Sequence, residues 1–597
     1  MKGTILILLV LPCFLLGQYW GERVTEKSFE NSELYFTSYY LNTYGVLRFR
    51  EVVVGLIDDP FLNLHLNPAL APRLQTNYLV YVDFRGDRTE VPVLRYYRIM
   101  PTYYRGPEIY PPISIDPRWY QQTRREPEPV LSLGILTYPF ANRWKNLFVG
   151  ATYQVIHKNE PYYSPPSWIY YPFYGYDAFG ARLSEGSIPI EERYSGEDEM
   201  AIRGHLFSAF FGIQPLSKIL LGFSLNAVSH TRDGSYLNLQ NDEYGQSDRW
   251  EWSHRNERAR GQEYDHTDVA GGFVYNFTPD FHAGLKLGYL SGKADQDYSS
   301  SNFHFYQYNF PEVSANWSYS RSLSHTRQKW EHDGHNWYGG IHLSHNIDPQ
   351  KFVQLSYRYT KKQIDLVNAT SIEDTSFYSG RWDWDTTYIR YQNNASLDDQ
   401  RSGSGDREEF RHEGLLNLRW KLTGKSILNA GIYYVRKQSR INSLESVVSD
   451  RRSHYHTEGY HNYDHERQWY EKKVLDWRYD LREWSIRIPL LLTVDFNPSF
   501  SWMIGINRIL NSWEIEDVTT AYFQIRKRVE DGEVKSEMNF GERYREPVRK
   551  LTEDYTDLIT QFRVNVSPQF GIELLLDPEL EENFRVAQWW LSFRANL

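Results

Sequence analysis

The sequence predicts an all-β protein: a single large antiparallel transmembrane β-barrel of about 14–16 strands, with short periplasmic turns and long extracellular loops. Three observations carry the barrel. One turn motif recurs along the chain, apolar and polar residues alternate on both sides of each copy, and the last run of the chain alternates as well.

The turn motif comes first. Asn276-Phe277-Thr278-Pro279-Asp280-Phe281 returns as Asn346-Ile347-Asp348-Pro349-Gln350, as Asp495-Phe496-Asn497-Pro498-Ser499-Phe500 and as Asn565-Val566-Ser567-Pro568-Gln569-Phe570. Gln214-Pro215 and the Pro-less Lys421-Leu422-Thr423-Gly424-Lys425 are looser copies. Proline pre-sets φ, and Asn, Asp or Ser side chains cap such turns with their oxygens. The copies lie roughly 65–75 residues apart, which fits two strands of about 11 residues, one turn and one long loop.

Alternation fixes the faces. Phe281, Ala283, Leu285, Leu287 and Tyr289 alternate with His282, Gly284, Lys286 and Gly288. Val353, Leu355, Tyr357 and Tyr359 alternate with Gln354, Ser356 and Arg358. The same holds for Leu416, Leu418, Trp420 and Leu422 against Arg419 and Lys421, and for Trp484 to Phe496 against Arg487 and Asp495. An Arg facing lipid at mid-bilayer costs about 2–4 kcal/mol, so the apolar row faces out and the bases face the lumen.

Strands are expected in pairs at 130–138 with 146–157, 203–213 with 218–230, 266–277 with 281–292 and 335–347 with 351–363. Further pairs fall at 411–421 with 426–438 and 482–496 with 500–511, and the set ends with 558–566, 569–577 and 583–597. Bacterial barrels have an even strand number, so a further strand is expected in 77–100, giving about sixteen. The stretches 158–202, 231–265, 293–334, 364–410, 439–481 and 512–557 read as long loops rich in Trp, Tyr, Arg and Glu.

Composition narrows the function classes. A net charge of −10 on 597 residues gives no basic footprint for nucleic acid. Residues 1–17 read as a secretory signal peptide, with Lys2 ahead of the apolar run Ile5 to Leu16. The single cysteine, Cys13, lies inside it, so the remaining chain carries no disulfide or thiolate chemistry. Residues 18–76 precede the repeat, and 77–597 form the expected barrel domain. Catalytic motifs are absent, so no enzyme activity and no cofactor are expected. His454, His456, His461 and His465 with Glu458, Asp464 and Glu466 read as a polar loop rather than a metal site. Trp382-Asp383-Trp384 and Trp250-Glu251-Trp252 each place two indoles on one side of an extended segment, which reads as a binding platform or as rings packed loop on loop.

The segment Val52-Val53-Val54-Gly55-Leu56-Ile57-Asp58-Asp59-Pro60, followed by Asn67-Pro68-Ala69, resembles the N-terminal region of the long-chain fatty-acid transporter (FadL-type) barrels and their PorV-type relatives. The box continues with Leu70 where that superfamily has Gly. The resemblance implies a plug folded into the lumen, carried here by Asp58, Asp59, Asn67, Pro68 and Ala69. It further implies passive uptake of hydrophobic or amphipathic small molecules through the bacterial outer membrane. The alternative is a non-transporting scaffold, adhesion or secretion-system partner barrel. Lys286, Arg358, Arg419, Lys421, Arg487 and Arg563 are the candidate lumen-binding residues, holding an anionic group or pairing with acids of the plug and wall. Expected partners are outer-membrane lipid, such a ligand, and the barrel-assembly machinery. Ala587, Trp589, Leu591, Phe593, Ala595 and Leu597 resemble the C-terminal strand by which that machinery recognises barrels.

Overall fold

The computed structural model describes Leu64, residues 66–73, 78–87, 129–138, 147–160, 194–244, 249–309, 316–384, 387–460, 462–537, 540–545, 548–579 and 585–596. The strands run β1 (Tyr78–Asp87), β2 (Pro129–Thr137), β3 (Leu147–Glu160), β4 (Tyr194–Leu216), β5 (Ile219–Tyr244), β6 (Arg249–Asn276), β7 (Phe281–Asn309), β8 (Trp317–Asp348) and β9 (Lys351–Trp384). They continue as β10 (Thr387–Thr423), β11 (Ser426–Gly459), β12 (Tyr463–Asn497), β13 (Phe500–Glu530), β14 (Glu533–Glu537), β15 (Phe540–Arg545), β16 (Arg549–Asn565), β17 (Phe570–Glu579) and β18 (Arg585–Asn596).

All eighteen belong to one antiparallel sheet, and β1 pairs with both β2 and β18, so the sheet closes on itself. β14 and β15 are short additions along β13, whose inner stretch pairs with β16; sixteen staves therefore make the ring. The strand expected in 77–100 is β1, seated between the last and the first of the predicted pairs.

Closure removes the free edges that an open sheet this long would expose, and β-structure is the only alternative to helix that satisfies every backbone group in lipid. The exterior is accordingly apolar near the short turns. Leu287 is 59% exposed, with Leu285, Tyr289, Trp337, Ile341, Leu343, Leu355, Leu416, Leu418, Trp484, Leu490 and Ile506 also outward. On β7 this row gives way after Tyr289 to Ser291, Lys293 and Asp295, and on β9 after Tyr359 to Lys361. Nine residues of a strand tilted near 40° rise about 23 Å, close to the roughly 25 Å of a barrel's apolar band.

The turns use the expected chemistry. In Asp348-Pro349-Gln350 the Asp348 Oδ1 accepts from the Gln350 N–H at 2.7 Å, and in Asn497-Pro498-Ser499 the Asn497 Oδ1 accepts from the Ser499 N–H at 2.8 Å. Ser567 Oγ and Thr423 Oγ1 do the same for Gln569 and Lys425. The residue between donor and acceptor has either no N–H, as proline, or the freedom of glycine, so the turn closes through a side chain.

The opposite ends differ from the expected irregular loops. The long excursions are the strands themselves running on as hairpins. β10 has 37 residues, and its residues 389–420 pair in continuous register with both β9 and β11. At about 3.3 Å per residue and the same tilt it rises roughly 90 Å, so the barrel projects far beyond the apolar belt. Same-face ion pairs two residues apart run along these extensions, including Lys293–Asp295, Lys329–Glu331, Arg478–Asp476 and Arg452–Asp450. Among the described residues of the C-terminal strand, Trp589 is exposed and Trp590 and Ser592 are buried, as the alternation requires; the side chains of Ala587 and Leu597 lie outside them.

Candidate lumenal site

The inner wall carries three features. The first is a seat for the N-terminal segment. Pro68–Arg73 forms a short 3-10 turn that touches β3, β4, β5 and β6. Asn67 is fully buried. Its Nδ2 donates to the carbonyls of Phe273 (3.2 Å) and Leu285 (3.0 Å), while its Oδ1 accepts from the Ala69 N–H at 3.0 Å. Tyr138 Oη donates to the Pro72 carbonyl at 3.0 Å. Asn67 thus ties the segment to β6 and β7, and Tyr138 ties it to the end of β2.

The wall makes room with glycine. Gly212, Gly222 and Gly272 are consecutive cross-strand partners on β4, β5 and β6. A Cβ on Gly222 would collide with the backbone of Pro68 and Ala69, and one on Gly272 with Asn67 Oδ1. Around this row the inward side chains Leu220 and Val274 bury against Ala69 and Leu70. Leu79, Tyr81, Leu136, Phe148 and Phe210 bury with Leu64 and Ala71. The inner wall is apolar there because the segment covers it. Asp58 and Asp59 lie outside the described residues.

The second feature is a charged strip on β6 to β12. Lys286 Nζ and Arg358 Cζ lie 5.6 Å and 4.5 Å from the Tyr338 ring centre, a cation–π geometry that Gly288 permits by leaving the ring space. Tyr338 Oη donates to Asp268 at 2.8 Å, and Asn226 Nδ2 donates to the other Asp268 oxygen at 3.1 Å. Arg358 lies 3.7 Å from Glu413, which also receives Arg411 (2.8 Å) and Tyr433 Oη (2.5 Å). Arg487 Cζ lies 5.7 Å from the Tyr433 ring centre. One step away from the short turns, Glu409 is contacted by Lys362 (3.6 Å), Arg407 (3.1 Å) and Lys437 (3.8 Å). These cations hold the Glu409 carboxyl well below its ordinary range, against the burial that raises it. Burial lowers the Lys362 ammonium to about 8.

Lys286, Arg358 and Arg487 therefore meet in one strip. Arg419 sits nearer the short turns, its guanidinium 4.7 Å from the Phe352 ring centre, and Lys421 is exposed beside a turn. Arg563 stands apart on β16 and pairs with Glu573 on β17 at 2.5 Å. For Arg358 and Arg563 the expected acidic partners are residues of the wall. Lys362, Arg407, Glu409, Arg411, Glu413 and Lys437 were not among the sequence candidates. Their signal is the spacing by two of Arg407, Glu409, Arg411 and Glu413, which places them on one face.

The third feature is apolar. Leu290, Ile364, Leu366, Ile441, Trp477, Tyr479, Leu481, Trp513 and Ile515 bury together on the inner face of β7 to β13. Gly334 on β8 and Gly405 on β10 stand between these strands without bulk of their own.

Two further sequence readings resolve here. The histidines lie on hairpin tips, each facing a carboxylate: His454 Nε2 is 2.7 Å from Asp464, and His465 Nδ1 is 2.7 Å from Asp531 of the β13–β14 turn. His461 lies outside the described residues. Trp382 Nε1 donates to Tyr391 Oη at 3.0 Å, and Tyr391 stacks on Tyr378 with centroids 5.0 Å apart, so these rings pack against each other across the two strands of the β9–β10 hairpin. The Trp384 side chain lies outside the described residues.

No family model matches the chain, and no curated protein does. Solved structures similar to it include a TodX deltaS2S3 mutant monoaromatic hydrocarbon channel, at 9% identity and TM-score 0.31, covering 90% of this chain and 94% of that one. The CymD monoaromatic hydrocarbon channel has 10% identity and TM-score 0.23, covering 67% and 93%. The ferric yersiniabactin uptake receptor FyuA from Yersinia pestis has 9% identity and TM-score 0.25, covering 78% and 77%. At such scores these likenesses bear neither on ancestry nor on cargo.

Proposed function

We propose that this chain is an outer-membrane barrel for the uptake of hydrophobic or amphipathic small molecules, with the N-terminal segment acting as a plug. The observation that carries the reading is the inner wall of β7 to β13. There a buried apolar patch around Trp477, Ile364 and Leu481 adjoins a strip in which Lys362, Arg407, Lys437, Arg411 and Arg358 outnumber Glu409, Glu413 and Glu483. An apolar body and an anionic end have complementary surfaces side by side. The plug reading is supported by Asn67, whose hydrogen bonds go to wall carbonyls and can be broken without unfolding a strand. The exterior belt is its seat in the membrane.

The alternative, a non-transporting surface scaffold or secretion-system partner, draws support from the close pairing of wall charges, which fixes one shape of the lumen. Uptake of a hydrophobic solute into liposomes separates the two. The full chain and a chain lacking residues 18–76 are reconstituted, and uptake is compared. Faster uptake without the segment supports the gated channel; equal uptake removes the plug, and no uptake by either leaves the scaffold. Arg358→Ala and Arg487→Ala should weaken retention of an anionic amphiphile relative to a neutral one of the same length.

A further inference from the structure

The exterior just beyond the apolar belt is not evenly charged. On β6 to β8 the first outward charges are predominantly acidic: Asp265, Glu263, Asp295, Asp333 and Glu331 against Lys293 and Lys329. On β11, β12, β13 and β16 they are predominantly basic. Arg436 and Arg440 lie two and six residues beyond the belt residue Tyr434, Arg482 precedes Trp484, and Arg508 follows Ile506. Cross-strand register places Arg436 opposite Trp484, Gln438 opposite Arg482 and Arg440 opposite Asp480, so these side chains share the outer face.

The acids of this sector do not balance it. Asp480 is shared by Arg440 (3.6 Å) and Arg482 (3.3 Å), Glu514 by Arg482 (3.9 Å) and Lys550 (3.0 Å), and Asp554 pairs with Arg508. Glu408 stands opposite Arg440 and pairs with Lys361, and Glu516 stands opposite Asp480 and pairs with Arg545, so seven bases face five acids, and the Arg440 and Arg482 side chains remain 51% and 57% exposed. The charge strip of the lumen is a different set of residues on the other face of the same strands.

We propose that this sector binds the anionic phosphate headgroups of the lipid leaflet on the long-hairpin side. Height selects the ligand. The arginines occupy the first rungs above a belt about 25 Å tall, where headgroups begin. Chemistry agrees, since the guanidinium fork takes two phosphate oxygens at once and keeps its charge. Arg508 shows the expected behaviour at the boundary: it follows the belt residue Ile506 and reaches Thr556 (3.0 Å) and Asp554 on the neighbouring strand. The inference rests on the belt lying in a bilayer, as proposed above.

The test uses the full chain in detergent, offered equal amounts of phosphatidylglycerol and phosphatidylcholine, with retained lipid counted by native mass spectrometry. Wild type should retain phosphatidylglycerol by about tenfold over phosphatidylcholine. R436Q/R440Q/R482Q should bring the ratio near parity, and K293Q/K329Q in the acidic sector should leave it unchanged. No preference in wild type, or an unchanged preference in the triple variant, overturns the proposal. So does inorganic phosphate that displaces the retained lipid and stabilises lipid-free protein as well as the lipid does, which assigns the sector to free phosphate. If the glutamine variant fails to fold, R436K/R440K/R482K decides: it keeps the charge and loses the forks, and a preference reduced at least about threefold supports the site while an unchanged one overturns it. Flotation of wild type and variants with phosphatidylcholine vesicles checks membrane insertion separately, so loss of insertion and loss of headgroup preference are told apart.

Discussion

Lys362 and Glu409 lie 3.6 Å apart on the inner wall, and neither side chain is more than 9% exposed. They stand opposite neighbours on β9 and β10, just beyond the belt, where no solvent stabilises either charge alone. Removing one partner from such a pair leaves the other buried and uncompensated, at a cost of about 3–5 kcal/mol. Glu409→Gln should therefore destabilise strongly, because Lys362, Arg407 and Lys437 then face each other. Lys362→Met should cost less, since two cations remain on Glu409. The heat-induced mobility shift of the folded barrel, measured for both single variants and the double, gives the order; equal losses would show that Lys362 alone supports the carboxylate.

Gly271 and Gly272 are adjacent on β6 and face opposite ways. A Cβ on Gly271 meets nothing within 4 Å, whereas one on Gly272 meets Asn67 Oδ1. Gly271→Ala should be near neutral. Gly272→Ala should displace the Asn67 segment, with the barrel intact, and speed protease cleavage within residues 64–73 at least severalfold over wild type. Identical cleavage of the two variants would mean that the seat does not hold the segment.

These two cases mark what the residues disclosed. The turn copies and the Leu285–Leu287–Tyr289 type of alternation were legible because one face is apolar and the other polar. Beyond the belt both faces are polar. On β10, Asp399 and Arg401 point inward while Asp398 and Gln400 point outward, so the period-two signal disappears although the strand continues. A polar stretch with no periodicity reads as loop, and that is why the long hairpins were expected as irregular segments. The Lys286–Arg358 strip was legible as basic residues on the inward parity. Its partners at Glu409 and Glu413 were not, because they lie at or beyond the edge of the recognisable strand. The apolar patch around Trp477 was hidden for the same reason: its members face a lumen, and sequence alternation alone does not say that an inward row beyond the membrane is apolar.

Leu287 is the most exposed of the belt residues on β7, flanked outward by Leu285 and Tyr289. Leu287→Arg should cost about 2–4 kcal/mol near mid-belt, and less at the belt edge. Ser291→Arg, two outward positions farther on, should be tolerated. Folding yield into vesicles of fixed thickness distinguishes them, and equal yields would place the hydrocarbon elsewhere on the barrel.

Acid should loosen the projecting wall before it affects the belt. His230 and His332 are buried on the inner face beyond the belt, and burial, assisted by Arg232 and His266 for one and by Arg407 for the other, lowers both imidazoles to about 3. In the unfolded chain they titrate near 6.5. Between those values the unfolded state binds more protons than the folded one, so stability falls as pH drops below about 6.5. The slope is up to roughly 1.4 kcal/mol per pH unit for each histidine, and it levels off near pH 3. Glu409 has the opposite kind of group but the same sign: its depressed carboxyl gives stability above its ordinary value, lost as pH falls below about 4.5. The interval from about 6.5 to 4.5 therefore isolates the histidines from Glu409. His230→Asn with His332→Asn should flatten the urea midpoint against pH across that interval and leave the steeper loss below it. A variant that keeps the wild-type slope there would show that neither imidazole stays neutral in the folded wall.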